Sequence, residues 1–257
     1  MFKRYLVFIY GLVCYFVFLA TYLYAIGFVA NVFVPRSIDS APVTYLTTSL
    51  IIDLALLGVF ALQHSVMARG PFKRWLTRII PEPAERSTYV LASSIALIAL
   101  FIFWRPLGGS VWSVQSESAA IVLDVLCASG WLLVLVSTFL INHFDLFGLR
   151  QIWLYLTRTA YTPLAFKTPG PYRLVRHPLY VGWLFAFWPT PVMTATHLLF
   201  AVATTAYILI AIQLEERDLV AGLGDAYSDY RQRVPMLIPF TRARGNRRVG
   251  NKRQATP

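Results

Sequence analysis

The sequence predicts an all-α, polytopic integral membrane protein, and two observations support that prediction. Of the 257 residues, 57% are hydrophobic and only 14% are charged, so the mean hydropathy is +0.59. A soluble domain of this length carries about a quarter charged residues. Several windows also exceed the roughly 18 apolar residues that a helix needs to cross a bilayer. We expect five transmembrane helices plus a carboxy-terminal helical hairpin, or six spans, with interfacial helices on the cytoplasmic side.

Charged residues mark the limits of the first four spans. No Asp, Glu, Lys or Arg occurs between Arg4 and Arg36. Two later spans contain single acids, Asp53 and Asp124, which are functional suspects because ionisable groups are costly within a membrane. Both lie apart from the other polar groups, so we leave them out of the candidate site. The predicted spans are residues 5–34, 45–66, 87–104 and 119–141.

The last apolar stretch, residues 177–214, is too long for a single helix. Within it, the prolines of "WPTP" at 188–191 remove backbone donors and disfavour helix in the residue before each, so they mark a turn. We expect a tight hairpin of two helices, residues 178–188 and 195–214. The first arm is short for a full crossing, which leaves the number of spans open.

The distribution of basic residues predicts the orientation. Of 23 Lys and Arg, only Arg36 and Arg105 lie in the loops after the first and third spans. The positive-inside rule therefore predicts an inner-membrane protein with both termini in the cytoplasm. The net charge of +11 is spread between spans instead of forming one stripe. It fits contact with anionic lipids better than binding to nucleic acid, which we do not expect.

Two further segments complete the pattern. In "PFKRWLTRII", residues 71–80, the apolar side chains share one helical face, which is typical of a helix lying in the interface. The tail, residues 241–257, is basic and nearly free of large apolar groups, so we expect it to be disordered. Cys14 and Cys127 both lie within apolar runs, and we expect neither a disulfide framework nor a metal site.

Polar side chains that could take part in binding or catalysis collect at the cytoplasmic ends of the spans. In "GPYRLVRHPLY", residues 170–180, Pro178 suits the first turn of a helix. A helix start carries partial positive charge and free backbone donors, and Arg176 and His177 would strengthen its preference for an anion. The alternative is that Arg173 and Arg176 only face lipid headgroups.

Glu215 and Glu216 end the opposite arm of the same hairpin. Because a hairpin returns its second arm to the starting level, we expect these acids to lie near Arg176 and His177. Cations beside acids suit a zwitterion, since the cations would hold its carboxylate and an acid its ammonium group. The alternative is an ordinary interfacial acid pair balanced by Arg217.

Several of these motifs resemble a known family of membrane enzymes. "GPYRLVRHPLYVG", "EERDL" and "YSDYRQRVPMLIP" are similar to the carboxy-terminal module of the isoprenylcysteine carboxyl methyltransferase-like family. Within that family, the bacterial membrane methanethiol S-methyltransferases are the nearer resemblance. "LQHSVMAR", "ERSTYVLASS", "HFDLFGLRQ" and "TPVMTATHLLFAVATTAYILIA" point to them, and this likeness covers most of the chain.

The resemblance implies S-adenosylmethionine as the cofactor and a division of the chain. Residues 1–150 would form the acceptor-binding bundle and residues 151–240 the cofactor-binding module. Carried over by position, His177 and Arg176 would bind the carboxylate of the cofactor, and Glu216 or Glu215 would bind its ammonium group. Tyr180 and Tyr172 would line the cofactor site. Arg231 and Tyr227 would form its lid. The chain has no glycine-rich dinucleotide fingerprint followed by an acid, so a soluble-type methyltransferase fold is not expected.

The acceptor implied is a small volatile thiol, methanethiol, which would be converted to dimethyl sulfide. A thiol is mostly protonated near neutral pH, so a base at hydrogen-bond distance would help the reaction. The candidates are His64 and His143, with Asp145 as an orienting carboxylate. The remaining candidates for the acceptor pocket are Ser65, Arg86, Tyr89, Asn142 and Phe147. We expect a structural role for His197, which lies on the far side of the hairpin.

Other readings of the sequence remain. The enzyme could act on a prenylcysteine-like or other lipophilic thiol or carboxylate, which would require a lateral groove. A non-enzymatic membrane component of the loosely similar NnrU type would not need both the "RHP" motif and the acid pair. A transporter is disfavoured because the polar groups within the spans are few and dispersed.

Overall fold

The computed structural model describes residues 1–241 and consists mainly of helices. In chain order the helices are α1 (Phe2–Ala30), α2 (Leu46–Met67), α3 (Gly70–Leu76), α4 (Glu85–Phe103), α5 (Glu117–Ile141), α6 (His143–Leu146), α7 (Leu149–Thr157), α8 (Pro178–Phe187), α9 (Ala195–Leu223) and α10 (Asp225–Arg233). Two short strands, β1 (Ser110–Ser113) and β2 (Val192–Thr194), pair antiparallel. The predicted disordered tail, residues 241–257, lies outside the described residues except for Thr241.

The predicted all-α membrane architecture is confirmed. Five helices are long and apolar enough to cross a bilayer: α1, α2, α4, α5 and α9. The fifth of these is the second arm of the hairpin, so the hairpin does not come in addition to five spans. The other arm, α8, has 10 residues and is therefore about 15 Å long, half the roughly 30 Å of a hydrocarbon core. Within residues 1–241 the fold thus has five spans and one half-length helix.

The direction of the helices defines two faces of the bundle. One end of the bundle, called here the site face, comprises the amino terminus, residues 68–84, residues 142–177 and the end of α9. The loop face, at the other end, comprises residues 31–45, 104–116 and 188–194. The loops of this second face are joined to one another, because the Trp104 indole donates to the Ile38 carbonyl (3.2 Å) and β1 pairs with β2. The sequence does not predict the two strands, since each has only three or four residues.

The main hydrophobic core lies nearer the loop face. Its buried members are Phe28, Val29, Ile38, Leu100, Phe101, Trp104, Trp131, Ala186, Phe187, Phe200 and Ala201. Most of these belong to the ends of α1, α4 and α8 and the start of α9 that meet the loop face. The polar candidates of the sequence lie at the opposite end of the bundle.

A close helix contact positions the short helix α8. A Cβ added to Gly130 of α5 would lie 2.4 Å from the Ala186 nitrogen, and one added to Gly182 would lie 2.8 Å from the Val134 nitrogen. The two backbones therefore touch through paired glycines. Since α8 begins at Pro178, this contact also sets the place of His177 at its start.

The segment after α5 turns sharply. Asn142 has φ 155° and its side-chain oxygen accepts from the Asp145 nitrogen (3.0 Å), so it starts the one-turn helix α6. Gly148 has φ 87°, and a Cβ there would lie 2.6 Å from Ser87 Oγ, so only glycine allows α7 to begin this close to α4.

The predicted interfacial helix is shorter than expected. α3 ends at Leu76, which is buried, and residues 77–80 form a turn. Trp75 and Ile79 remain exposed beside it. The apolar face predicted over residues 71–80 is therefore divided between the helix and the turn that follows.

Candidate functional site

The structure brings the "RHP" motif and the acid pair together. Arg176 Nε donates to Glu216 Oε1 at 2.6 Å, and His177 Nε2 lies 3.1 Å from the same oxygen. His177 and Glu216 are only 5% and 6% exposed. Glu216 is thus a buried carboxylate that forms an ion pair with Arg176 and a hydrogen bond with His177, as buried charges generally have partners. We call Arg176, His177, Glu215 and Glu216 the acid–cation cluster.

Arg176 has other partners than the ligand carboxylate expected for it. Its Nη1 donates to the carbonyls of Arg231 (2.9 Å) and Val234 (2.6 Å), which close the end of α10. Its backbone nitrogen donates to the Pro235 carbonyl at 2.8 Å. Arg176 therefore fastens the segment after α10 to Glu216, and much of its hydrogen-bonding capacity is used within the protein.

Glu215 differs from its neighbour because no Lys or Arg among the described residues forms an ion pair with it. Its side chain is 45% exposed, and Oε2 lies 3.9 Å from His177 Nδ1. Arg231 is also half exposed and lies 3.9 Å from Glu216 Oε2. Glu215 in the cluster and Arg231 beside it are therefore the oppositely charged groups with capacity left for a ligand.

Tyrosines line the cluster, and two of them have buried hydroxyls without a hydrogen-bond partner among the described residues, namely Tyr172 and Tyr227. Tyr227 is 2% exposed. Burial raises the pKa of both phenols, and nearby Glu216 or Glu215 adds to the shift, so both keep their protons. An unpaired buried hydroxyl is costly, so each is suited to hydrogen-bond a bound ligand.

His64 forms a second polar group within the bundle. The Tyr89 hydroxyl lies 2.9 Å from His64 Nε2, and Ser93 Oγ lies 3.1 Å from Nδ1. The Ser65 and Tyr207 hydroxyls are 3.2 Å apart. These five residues are called the His64 cluster. They come from α2, α4 and α9.

Tyr180 stands between the two groups. Its hydroxyl is close to Glu215 and within electrostatic range of the Tyr89 and Tyr207 hydroxyls. Its ring also lies 5.6 Å from that of His177, centre to centre. The acid–cation cluster and the His64 cluster are therefore neighbours at the site face.

His143 lies in a different place, against α1 and α5. Its Nε2 is 2.8 Å from the Tyr15 hydroxyl and its Nδ1 is 2.8 Å from Thr138 Oγ1. Burial lowers the pKa of His143. Phe147, which was expected to line the acceptor pocket, lies here and stacks on Phe18 with ring centres 3.9 Å apart.

The expected pairing of Asp145 with a histidine is not seen in the described residues. Its carboxylate accepts from Arg150 Nη1 at 2.8 Å and from the Tyr161 hydroxyl at 3.4 Å. The reason is local: α6 turns Asp145 toward α7, whereas both nitrogens of His143 already face hydroxyl groups. Asp145 therefore stabilises the segment after α5.

Two other acceptor candidates also contact the protein itself. Arg86 Nε donates to the Leu146 carbonyl (2.8 Å), and its guanidinium lies 5.3 Å from the centre of the Tyr89 ring. Asn142 is occupied as the cap of α6. On the loop face, His197 is buried and its Nε2 lies 2.9 Å from the Phe187 carbonyl.

Comparison with known proteins identifies the family. The phospholipid methyltransferase (PEMT) family model matches residues 120–224. Methanethiol S-methyltransferase of Crocosphaera subtropica is 60% identical over 238 residues, which cover 93% of each chain. The protein of that name from Mycobacterium tuberculosis is 52% identical over 93% of this chain and 98% of its own. Methanethiol S-methyltransferase 2 of Bradyrhizobium diazoefficiens is 49% identical over 100% of this chain and 98% of its own. The chain belongs to the methanethiol S-methyltransferase family.

Membership confirms the resemblance drawn from the motifs and makes the chain a multi-pass membrane methyltransferase. The matched PEMT segment runs from α5 to the end of α9, so it contains the acid–cation cluster. No solved structure matches the chain. The division at residue 150 remains a prediction, although the glycine contact joins α5 to α8 directly across it.

The structure adds residues to the site that the sequence analysis did not predict. They are Tyr15, Ser93, Thr138 and Tyr207. Tyr207 carried the clearest signal, because it is a tyrosine in an apolar span eight residues before Glu215, two helical turns away on a nearby face. Ser93 and Thr138 carried little signal, since hydroxyl groups in spans commonly bond the carbonyl of the preceding turn.

Proposed function

We propose that this chain transfers a methyl group from S-adenosylmethionine to the sulfur of methanethiol and so forms dimethyl sulfide. The observation that supports this most is a partly exposed acid, Glu215. It lies near two buried tyrosine hydroxyls that have no partner among the described residues and, through Tyr180, near the His64 cluster. We place the reaction at the cytoplasmic face of the inner membrane, with both termini in the cytoplasm, because the site face carries most of the Lys and Arg.

The acid–cation cluster fits the amino-acid part of the cofactor. Glu216 is already paired with Arg176 and hydrogen-bonded to His177, so Glu215 is the acid that would hold the ammonium group. Arg231 would hold the carboxylate, and Arg176 would keep α10 in place around it. Tyr172 and Tyr227 would donate their unpaired hydroxyls. When bound, the cofactor supplies an electrophilic methyl group on a positively charged sulfur.

The His64 cluster fits a base. The Ser93 hydroxyl donates to the Tyr89 carbonyl (3.0 Å), so its oxygen is left to accept a proton from His64 Nδ1. That tautomer leaves a lone pair on Nε2, next to the Tyr89 hydroxyl. The proton of the thiol would pass to Nε2 while the sulfur electron pair forms the new bond to the methyl carbon. The bond between the methyl carbon and the sulfonium sulfur would break at the same time, so the products would be dimethyl sulfide, S-adenosylhomocysteine with a neutral thioether sulfur, and an imidazolium.

The position of His64 favours it over His143 as the base. Tyr180 connects the His64 cluster to Glu215, whereas His143 lies against α1 and α5, where it bonds Tyr15 and Thr138. Methyl transfer from a sulfonium to a thiolate joins opposite charges and gives neutral products. A site that excludes water therefore favours this transfer.

The test uses purified protein in lipid nanodiscs with labelled S-adenosylmethionine and methanethiol. Dimethyl sulfide should appear in the headspace. We expect His64→Ala to lower kcat by about 10²- to 10⁴-fold, the usual contribution of a general base, with cofactor binding intact. His143→Gln is the matched control and should keep most of kcat.

Two outcomes would contradict the proposal. Loss of kcat in His143→Gln but not in His64→Ala would assign the role of the base to His143. Absence of dimethyl sulfide from the unmodified protein, with cofactor binding retained, would exclude methanethiol and favour a larger lipophilic acceptor.

A further inference from the structure

An aromatic cavity lies away from the acid–cation cluster, between α1 and α5. Its volume is about 180 Å³. The residues that line it are Tyr15, Phe18, Leu19, Tyr22, Leu135, Thr138, Phe139, His143 and Phe147. We call it the aromatic cavity.

The packing of the helices explains why the space exists. α1 packs on α4 and α7, whereas α5 packs mainly on α8. Aromatic rings occupy much of the interval between α1 and α5. Phe139 stacks on His143 with ring centres 4.2 Å apart, and Phe18 stacks on Phe147.

Every polar side chain of the wall is satisfied within the protein. The Thr138 hydroxyl donates to the Leu135 carbonyl (2.7 Å), so its oxygen accepts from His143 Nδ1. His143 Nε2 then accepts from the Tyr15 hydroxyl. The Tyr22 hydroxyl donates to the Trp131 carbonyl at 2.9 Å. With no hydrogen-bonding group left over, the cavity suits neither the charged cofactor nor ordered water, which needs two to four polar partners.

Size and position narrow the class of ligand. A dry apolar cavity of about 150 Å³ holds benzene or xenon, so this one can hold a molecule with only a few heavy atoms. Leu135 and Phe139 are 37% and 54% exposed on a membrane-spanning helix, so the rim faces the bilayer. Sulfur atoms also make favourable contacts with aromatic rings.

We propose that the aromatic cavity is a binding site for a small uncharged thiol or thioether that enters from or leaves to the bilayer. The choice of a sulfur compound rests on the proposed function, whereas the apolar character and size do not.

Binding is tested without catalysis. Dimethyl sulfide is added to the full-length protein in nanodiscs, without S-adenosylmethionine, and saturation transfer from the protein to the methyl protons is measured by NMR. Empty nanodiscs correct for ligand dissolved in lipid. Leu19→Trp fills the cavity, and Leu23→Trp, an exposed leucine one turn later on α1, is the matched control.

We expect saturation transfer in the unmodified protein and in Leu23→Trp, and its loss in Leu19→Trp. Leu19→Trp should also raise the KM for methanethiol at least threefold with the KM for S-adenosylmethionine unchanged. Equal transfer in Leu19→Trp and Leu23→Trp would overturn the proposal, because binding would then be to lipid or to another surface. Since the NMR measurement needs no turnover, it can succeed even if the proposed reaction fails.

Discussion

At the scale of single residues, adjacent side chains have different surroundings and therefore different expected roles. Glu216 is buried against Arg176 and His177, whereas Glu215 is partly exposed and its Oε2 lies 3.9 Å from His177 Nδ1. The sequence presents the two acids as equivalent. Only the direction of each side chain on α9 distinguishes the one that holds the fold from the one that is free for a ligand.

Substitution of the two glutamates should separate stability from cofactor binding. Glu216→Gln leaves Arg176 and His177 without a carboxylate, and breaking a buried pair costs about 3–5 kcal/mol, so the melting temperature should fall clearly. Glu215→Gln should leave the melting temperature within a few degrees. It should weaken S-adenosylmethionine binding by tenfold or more, since a charged hydrogen bond contributes about 1.5–3 kcal/mol.

Thermal unfolding and cofactor titration of both variants check this. Glu117→Gln, an exposed glutamate at the start of α5 on the loop face, is the control and should change neither quantity. Normal cofactor binding in Glu215→Gln would remove Glu215 from the site.

His143 predicts a dependence of stability on pH. Burial lowers its pKa in the folded protein below the ordinary value of 6.5. Between these two values the unfolded chain binds more protons than the folded protein does. The stabilisation is therefore complete above pH 6.5 and is lost as the pH falls toward the folded value. As the pH is lowered through this window, the melting temperature should decrease, and that of His143→Gln should decrease less. Parallel plots of melting temperature against pH for the two proteins would contradict this.

At the scale of the elements, α8 is the helix on which the site depends. It is too short to span the bilayer and owes its place to α5, where Gly130 and Gly182 allow the backbones to touch. His177 is the N-cap residue of α8, and α9, the other arm of the hairpin, carries the acid pair. A change at the glycine contact should therefore reach the acid–cation cluster without touching it.

Gly130→Leu should displace α8, because even a Cβ would lie 2.4 Å from the Ala186 nitrogen. We expect a lower melting temperature and at least tenfold weaker S-adenosylmethionine binding. Gly58→Leu on α2 is the matched control, since a Cβ there meets nothing within 4 Å. Equal behaviour of the two variants would show that α8 does not need this contact.

At the scale of the whole molecule, charge and packing are divided between two faces. The main core and the joined loops lie toward the loop face, and the polar clusters lie at the site face with most of the basic residues. The positive-inside rule turns this division into an orientation.

Labelling of introduced cysteines with a membrane-impermeant maleimide tests the orientation. In a variant whose Cys14 and Cys127 are replaced by serine, Phe33→Cys on the loop face should react in intact cells with a permeabilised outer envelope. Ser228→Cys on α10 should react only after the inner membrane is opened. The opposite pattern would invert the proposed topology.

Much of this architecture followed from composition and spacing. Long charge-free runs predicted the spans, and "WPTP" predicted the hairpin turn, because both effects are local properties of the chain. The proximity of "RHP" to the acid pair also followed, since a hairpin must bring its two ends to one level. The interfacial helix was predicted too long, because Leu76 packs inward and the chain turns after it.

The partners of individual polar atoms depended on the tertiary structure. Asp145 was expected beside a histidine and instead binds Arg150, and Arg176 binds Glu216 and the end of α10. Of the nine residues that line the aromatic cavity, the sequence singled out only His143 and Phe147, because the lining comes from separate segments. Hydropathy and helix breaks determine which segments cross a membrane, since each acts within one helix. Which hydroxyl, acid or ring faces which neighbour is decided by contacts between helices far apart in sequence.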